Sequence, residues 1–347
     1  MNWCYGCLAL LCLFSAVQAE ETIQLPAQEG EQPPLVIYSA TDYNHMAPLL
    51  HAFQQRHPTV AIRFVDANSQ QLYQRVLEEG EASPADLLLS SAMDLQLKLV
   101  NDGHARVWRS ARTNALPANI HWRHELFAVT VEPVLMVFNR QLLGDHALPQ
   151  SRQELLALLR RDPERFRGRI HTYDITQSGV GYLLATQDSL QGESYGRLLE
   201  AFGGLSVHLS ESSNQMLAEL AAGRAVLGYN LLGSYVAAAL EKHPQLVAVA
   251  PRDYSLILMR LALIPRHARQ PALAGELLDF MLSPAGQAAL AEGGLLPLLA
   301  PNAGEPRLTV QPQGPVTPIP LTPALLPALD PLDQQGFVRT WIDSLAP

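Results

Sequence analysis

Leu35-Val36-Ile37-Tyr38-Ser39-Ala40-Thr41-Asp42 is an apolar run that breaks into small polar residues, and the pattern returns at Ala85-Asp86-Leu87-Leu88-Leu89-Ser90-Ser91. Both stretches read as buried strands that end in hydroxyl-bearing loops. After the first, Met46, Leu49, Leu50 and Phe53 fall at i, i+3, i+4 and i+7, one face of a helix. Proline is tolerated only near a helix start, so Pro48 places that start close to Asp42 or Asn44. Val60–Val65 reads as a second strand, and Gln70–Glu79 as a helix with Leu72, Val76 and Leu77 inward. A further helix runs from about Asp94 to Asn101. The order is βαβαβ, the mark of a parallel sheet.

The same grammar resumes downstream. Glu132–Phe138 reads as a crossing strand. Arg169–Tyr173 is a strand that enters the loop Asp174-Ile175-Thr176-Gln177-Ser178-Gly179 and a helix. Val207–Leu209 leads through Ser210-Glu211-Ser212-Ser213 to a helix ended by Gly223. Ala225–Tyr229 runs into Asn230 and a helix from Gly233 to Lys242, and Leu246–Val249 and Leu256–Ile264 follow as strands. Helices are expected over Pro271–Leu282 and Pro284–Ala291, then a proline- and leucine-rich strap over Pro297–Pro331. The fold class is α/β with two lobes joined by hinge strands. The expected divisions are 33–131 for the first part of lobe one, 132–255 for lobe two, and 256–347 for a return to lobe one.

All three cysteines, Cys4, Cys7 and Cys12, precede Ala19. Leu8–Phe14 is uninterrupted apolar sequence, and Val17 and Ala19 are the small residues that a signal peptidase reads. Residues 1–19 are therefore expected to be a cleaved signal peptide of a periplasmic protein. Cleavage leaves no cysteine, which excludes disulfide staples, thiol nucleophiles and thiolate metal sites. The remaining chain exceeds the ~250–300 residues at which one core stops growing. The net charge of −9 and the lack of a basic run argue against a nucleic-acid partner.

In open parallel sheets, ligands sit beyond the carboxyl ends of the strands. Here those ends carry Ser39–Asp42, Ser90–Met93, Thr176–Gly179, Ser210–Asn214 and Tyr229–Ser234, built largely of hydroxyls, amides and small residues. Each opens a helix, whose free N–H groups and dipole attract anions. A lone serine at such a place is usually an N-cap worth ~1 kcal/mol; repetition at five strand ends points to a cleft. Gly179-Val180-Gly181 is no dinucleotide fingerprint, and no phosphate-binding lysine motif follows. No G-x-S-x-G elbow occurs, and His121-Trp122-Arg123-His124 lacks an accompanying metalloprotease pattern. No enzyme signature, cofactor or metal site is expected.

The order of these pieces resembles the periplasmic solute-binding proteins of ABC importers, in the group of ferric-ion-binding, hexose-phosphate-binding and phosphoglycerate-transport regulatory proteins. The likeness runs from Pro33 to Leu345. It rests on Val36–Asp42, Ala85–Ser91, Ser178–Leu183, Gly228–Tyr235, Leu263-Ile264-Pro265, Leu277–Pro284 and the closing Leu329, Asp330, Gln334, Phe337 and Trp341. The resemblance implies a two-lobed type II binding fold that closes on its ligand by lobe rotation. It implies capture of a small anionic solute, phosphorylated or carboxylated, for an ABC permease, or alternatively its presentation to a membrane sensor kinase. Iron is less favoured: Tyr229 and Tyr235 are six apart, where iron-binding members have adjacent tyrosines. The expected ligand-binding set is Ser39, Ala40, Thr41, Asp42, Ser90, Ser91, Thr176, Gln177, Ser178, Gly179, Ser212, Asn214, Tyr229, Asn230, Ser234 and Arg260. Arg260 reads equally as an anion partner or as a structural charge at the hinge.

Overall fold

The structure is a computed structural model that describes residues 21–30, 32–298 and 310–346. The expected signal peptide and part of the strap lie outside the described residues.

In the first lobe β1 (Glu21–Leu25), β2 (Leu35–Ser39), β3 (Ile62–Asp66) and β4 (Leu87–Ser90) form a sheet in the order β1-β3-β2-β4. β2 runs parallel to both β3 and β4, with Ile37 beside Phe64 and Leu87. The connections are α1 (Tyr43–Arg56) and α2 (Ser69–Glu79), and α3 (Met93–Asn101) follows β4. Pro48 sits inside α1 near its start, and Asp42 occupies the N-cap position. β1 went unpredicted because it is short, alternating and half-exposed, which leaves little signal; it adds to the edge of β3 antiparallel.

β5 (Leu126–Asn139) is longer than the expected crossing strand and ties both sheets together. Its first half pairs with β10 (Ser255–Leu263), itself paired with β4. Its second half pairs with β8 (Leu227–Leu232) and β9 (Leu246–Val249). Beyond β8 lie β6 (Ile170–Tyr173) and β7 (His208–Ser210), both parallel. Eleven of its fourteen residues are apolar, as a strand buried on both faces requires. The second lobe adds α4 (Arg152–Arg161), α5 (Gly179–Ser189), α6 (Ser194–Gly204), α7 (Ser213–Ala221) and α8 (Gly233–Lys242).

Leu35, Ile37, Phe53, Phe64 and Phe127 pack in the first lobe under α9 (Pro271–Met281) and α10 (Pro284–Glu292). Phe138, Leu155, Ile170, Phe202 and Trp341 pack in the second. Each fully buried side chain of this kind contributes ~1.5–3 kcal/mol. A third cluster, holding Val36 and Leu88 with Leu135 and Leu231, runs between the lobes along the hinge.

The C-terminal segment departs from expectation in the placement of its last helix. The strap is seated: Ile319, Leu321 and Leu325 are buried, and β11 (Val316–Pro318) pairs in parallel with β10. The final helix, α11 (Pro331–Leu345), lies on the second lobe, not the first. Trp341 Nε1 donates to Tyr195 OH on α6 at 3.2 Å, and Tyr182 OH on α5 donates to Ala328 O. The apolar stripe of α11 needs an apolar host, and its sequence cannot say which lobe supplies one.

Candidate functional site

The carboxyl ends of β2, β3 and β4 meet those of β6, β7 and β8 across one cavity of about 110 Å³. Its first-lobe wall includes Ala40, Asp42, Asp66, Asn68, Ser69 and Ser91; its second-lobe wall includes Tyr173, Ser178, Glu211, Ser212, Ser213 and Tyr235.

Local chemistry fixes these groups. Asn68 caps α2 by accepting from Gln70 N and Gln71 N, while Gln71 returns the bond to Asn68 N. Ser178 caps α5 through Gly181 N, and Ser212 caps α7 through Gln215 N. Asp42 stands at the N-cap of α1 without a side-chain capping bond. Asp66 Oδ2 instead accepts from Tyr43 N at 2.9 Å, which leaves the Asp42 carboxylate turned toward the other lobe. Tyr173 OH and Ser213 Oγ lie 2.7 Å apart, and Ser213 Oγ also accepts from Leu232 N.

The lobes touch around the cavity. Val180 N donates to Ser69 Oγ at 3.0 Å, Asn214 Nδ2 to Asp42 Oδ2 at 3.1 Å, and Asn68 Nδ2 to Glu211 Oε2 at 3.4 Å. Behind Tyr235, the fully buried Arg260 donates through Nε to Glu132 Oε1 at 3.0 Å, through Nη1 to Thr41 Oγ1 at 2.7 Å and through Nη2 to Ser234 Oγ at 3.2 Å. Glu132 Oε2 accepts from Ser234 N. The cluster joins a first-lobe loop, two hinge strands and the start of a second-lobe helix. Electrostatically the cavity is acidic. Burial, then the neighbouring Asp42, pushes the Asp66 carboxyl up to about 7, against the opposing pull of the Tyr43 N–H. Burial also raises the phenols of Tyr173 and Tyr235.

Of the expected ligand set, Ala40, Asp42, Ser91, Ser178 and Ser212 line the cavity. Thr41, Ser234 and Arg260 build the hinge cluster behind it. Asn214 lines a groove that adjoins the cavity, and Thr176 and Gly179 line another beside α11. Ser39 and Ser90 shape their own turns, Ser39 through Thr41 N and O, Ser90 through Ala92 N. Gln177 is exposed, its amide directed at the Thr176 hydroxyl. Tyr229 and Asn230 are not brought to the cavity. Arg152 Nε donates to Tyr229 OH at 2.7 Å, and Tyr229 OH and Asn230 Nδ2 both donate to Asp188. That buried network, completed by Tyr254 and Asp253, belongs to the second lobe's interior.

Sequence reading left Asp66, Asn68, Ser69, Tyr173, Glu211, Ser213 and Tyr235 out of the set. The signal for the first three was present: Asp66-Ala67-Asn68-Ser69 repeats the motif of a strand, a polar turn and a helix.

Two α/β lobes, hinged by crossing strands and meeting over a polar cavity, define a ligand-enclosing binding protein. The chain belongs to the bacterial extracellular solute-binding protein family, whose model matches residues 35–296. A solved structure described as the substrate binding protein of the ABC transporter from Agrobacterium tumefaciens is 32% identical, with a TM-score of 0.89, over 94% of this chain and 99% of that one. Iron-bound HitA from Pseudomonas aeruginosa shares the fold at 17% identity and a TM-score of 0.72, over 90% and 99% of the two chains. AfuA from Actinobacillus pleuropneumoniae, with fructose-6-phosphate bound, does so at 18% and 0.70, over 90% and 98%. No curated protein matches the chain in sequence.

Proposed function

We propose that this chain captures a small organic solute bearing a phosphate or carboxylate between its lobes, in the periplasm, and presents the closed complex to an ABC permease. One observation carries the reading. Hydroxyl and amide turns from both lobes, each opening a helix, line a single small cavity: Asn68-Ser69 and Ser91 from one side, Ser178 and Ser212-Ser213 from the other. Helix N-termini attract negative groups, and hydroxyls complete their coordination at no cost in buried charge. The Agrobacterium relative, a substrate binding protein of an ABC transporter, supports the importer role. A ferric guest has less behind it: Tyr229 is committed to Arg152 and Asp188, and burial disfavours ionising the two cavity phenols.

Thermal unfolding in the presence of phosphorylated and carboxylated metabolites tests the reading. A bound solute at ~100 times its dissociation constant adds ~2.7 kcal/mol of stability, a readable rise in Tm. Solution scattering should show the particle contract with the same compounds. If no phosphorylated or carboxylated compound does either, the reading is overturned.

A further inference from the structure

The walls of the cavity hold more than an anion site. Glu21, Asp42 and Asp66 reach it from the first lobe and Glu211 from the second, and no lysine, arginine or histidine is among the described residues that line it. The side-chain hydrogen bonds of these carboxylates come from neutral donors: Tyr43 N for Asp66, the Asn214 amide for Asp42 and the Asn68 amide for Glu211. Arg260 lies behind the Tyr235 ring, 5.4 Å from its centroid, with its guanidinium committed to Glu132, Thr41 and Ser234. His45, Lys242 and His243 line the adjoining groove, which shares Asp42 and Tyr235 with the cavity.

Closing the lobes therefore brings carboxylates from opposite sides into one partly desolvated space, where like charges repel far more strongly than in water. Protonation of Asp66 relieves part of that repulsion, and a positive group on the solute would relieve the rest. The raised Asp66 carboxyl reports the same field, since Asp42 is the largest cause of its shift after burial.

We propose that the solute carries a cationic nitrogen that sits among Asp42, Asp66 and Glu211 and donates to them, while its acidic group takes the hydroxyl-lined side of the same cavity. The substrate class is then a small zwitterion, an amine joined to a phosphate or carboxylate. A protonated amine offers three donors and no acceptor, which suits a wall of carboxylates. This inference rests on the solute-capture reading above.

Calorimetry and thermal shift on matched pairs test it: phosphoethanolamine against ethyl phosphate, 4-aminobutyrate against butyrate, serine against glycerate. The amine-bearing member of at least one pair should bind tenfold or more tightly than its counterpart. Asp66→Asn and Glu211→Gln should shrink that ratio to about threefold or less, and a ratio unchanged in both variants overturns the subsite. Circular dichroism checks that each variant folds; should Asp66→Asn fail to, Glu211→Gln carries the comparison. Amine-free members that bind as well or better overturn the cationic subsite and leave solute capture standing. Silent pairs, with amine-free metabolites of the wider screen bound, overturn the subsite in the same way. Silence of every pair and of the wider screen overturns solute capture, and the subsite with it.

Discussion

Asp66 is the residue on which pH acts most directly. Its carboxyl rises from an ordinary value of 3.8 to about 7, by burial first and Asp42 second. A carboxyl that holds its proton more tightly when folded contributes stability below 3.8 and loses it as pH climbs through about 7. The empty protein should therefore melt at a lower temperature at pH 8 than at pH 5.5 on this group's account. Asp66→Asn keeps an oxygen to accept from Tyr43 N, so it should flatten that dependence and raise the Tm of the empty protein at pH 8. An unchanged pH profile in the variant would show that Asp66 is not the titrating group. At this scale the sequence was half legible. Asp42, Ser178 and Ser212 stood out because a helix start follows each one locally. Tyr229 was assigned to the ligand because its partners, Arg152 and Asp188, lie 77 and 41 residues away and no local pattern announces them.

Among the elements, α5 packs directly against the first lobe. A Cβ placed on Gly179 would stand 2.6 Å from Leu95 Cδ1, 3.1 Å from Ser69 Oγ and 3.3 Å from Ala92 Cβ, all in the first lobe. Gly181, two residues on, would strike Tyr173 Cβ of its own lobe at 2.4 Å. The two glycines therefore predict different failures. Gly179→Val should leave secondary structure and Tm nearly unchanged, hold the lobes apart in solution scattering, and weaken solute binding at least tenfold, ~1.4 kcal/mol. Gly181→Ala should cost stability in the second lobe instead. A Gly179→Val protein that binds and contracts normally would refute this packing of α5. Strand and helix order was readable because strands and helices alternate with distinct periods. The α4, α6 and α11 segments escaped: none follows a recognisable strand, and each buries its stripe against partners distant in sequence.

For the molecule as a whole, the Arg260–Glu132 pair is the point where both lobes and both hinge strands meet. Both side chains are fully buried, so removing one leaves the other charged and unpaired. Glu132→Ala should lower the free energy of unfolding by ~3–5 kcal/mol in urea titrations. A loss under 1 kcal/mol would mean that water reaches the pair.

The seated strap adds a consequence of its own. β5 and β10 already pass between the lobes, and the chain carrying β11 travels beside β10 before α11 settles on the second lobe. A third line of attachment, set beside two others, stiffens the join that it crosses. The lobes of this protein should therefore rotate over a narrower range than two strands alone would allow, and a partner that reads both faces at once would meet them at a more uniform angle.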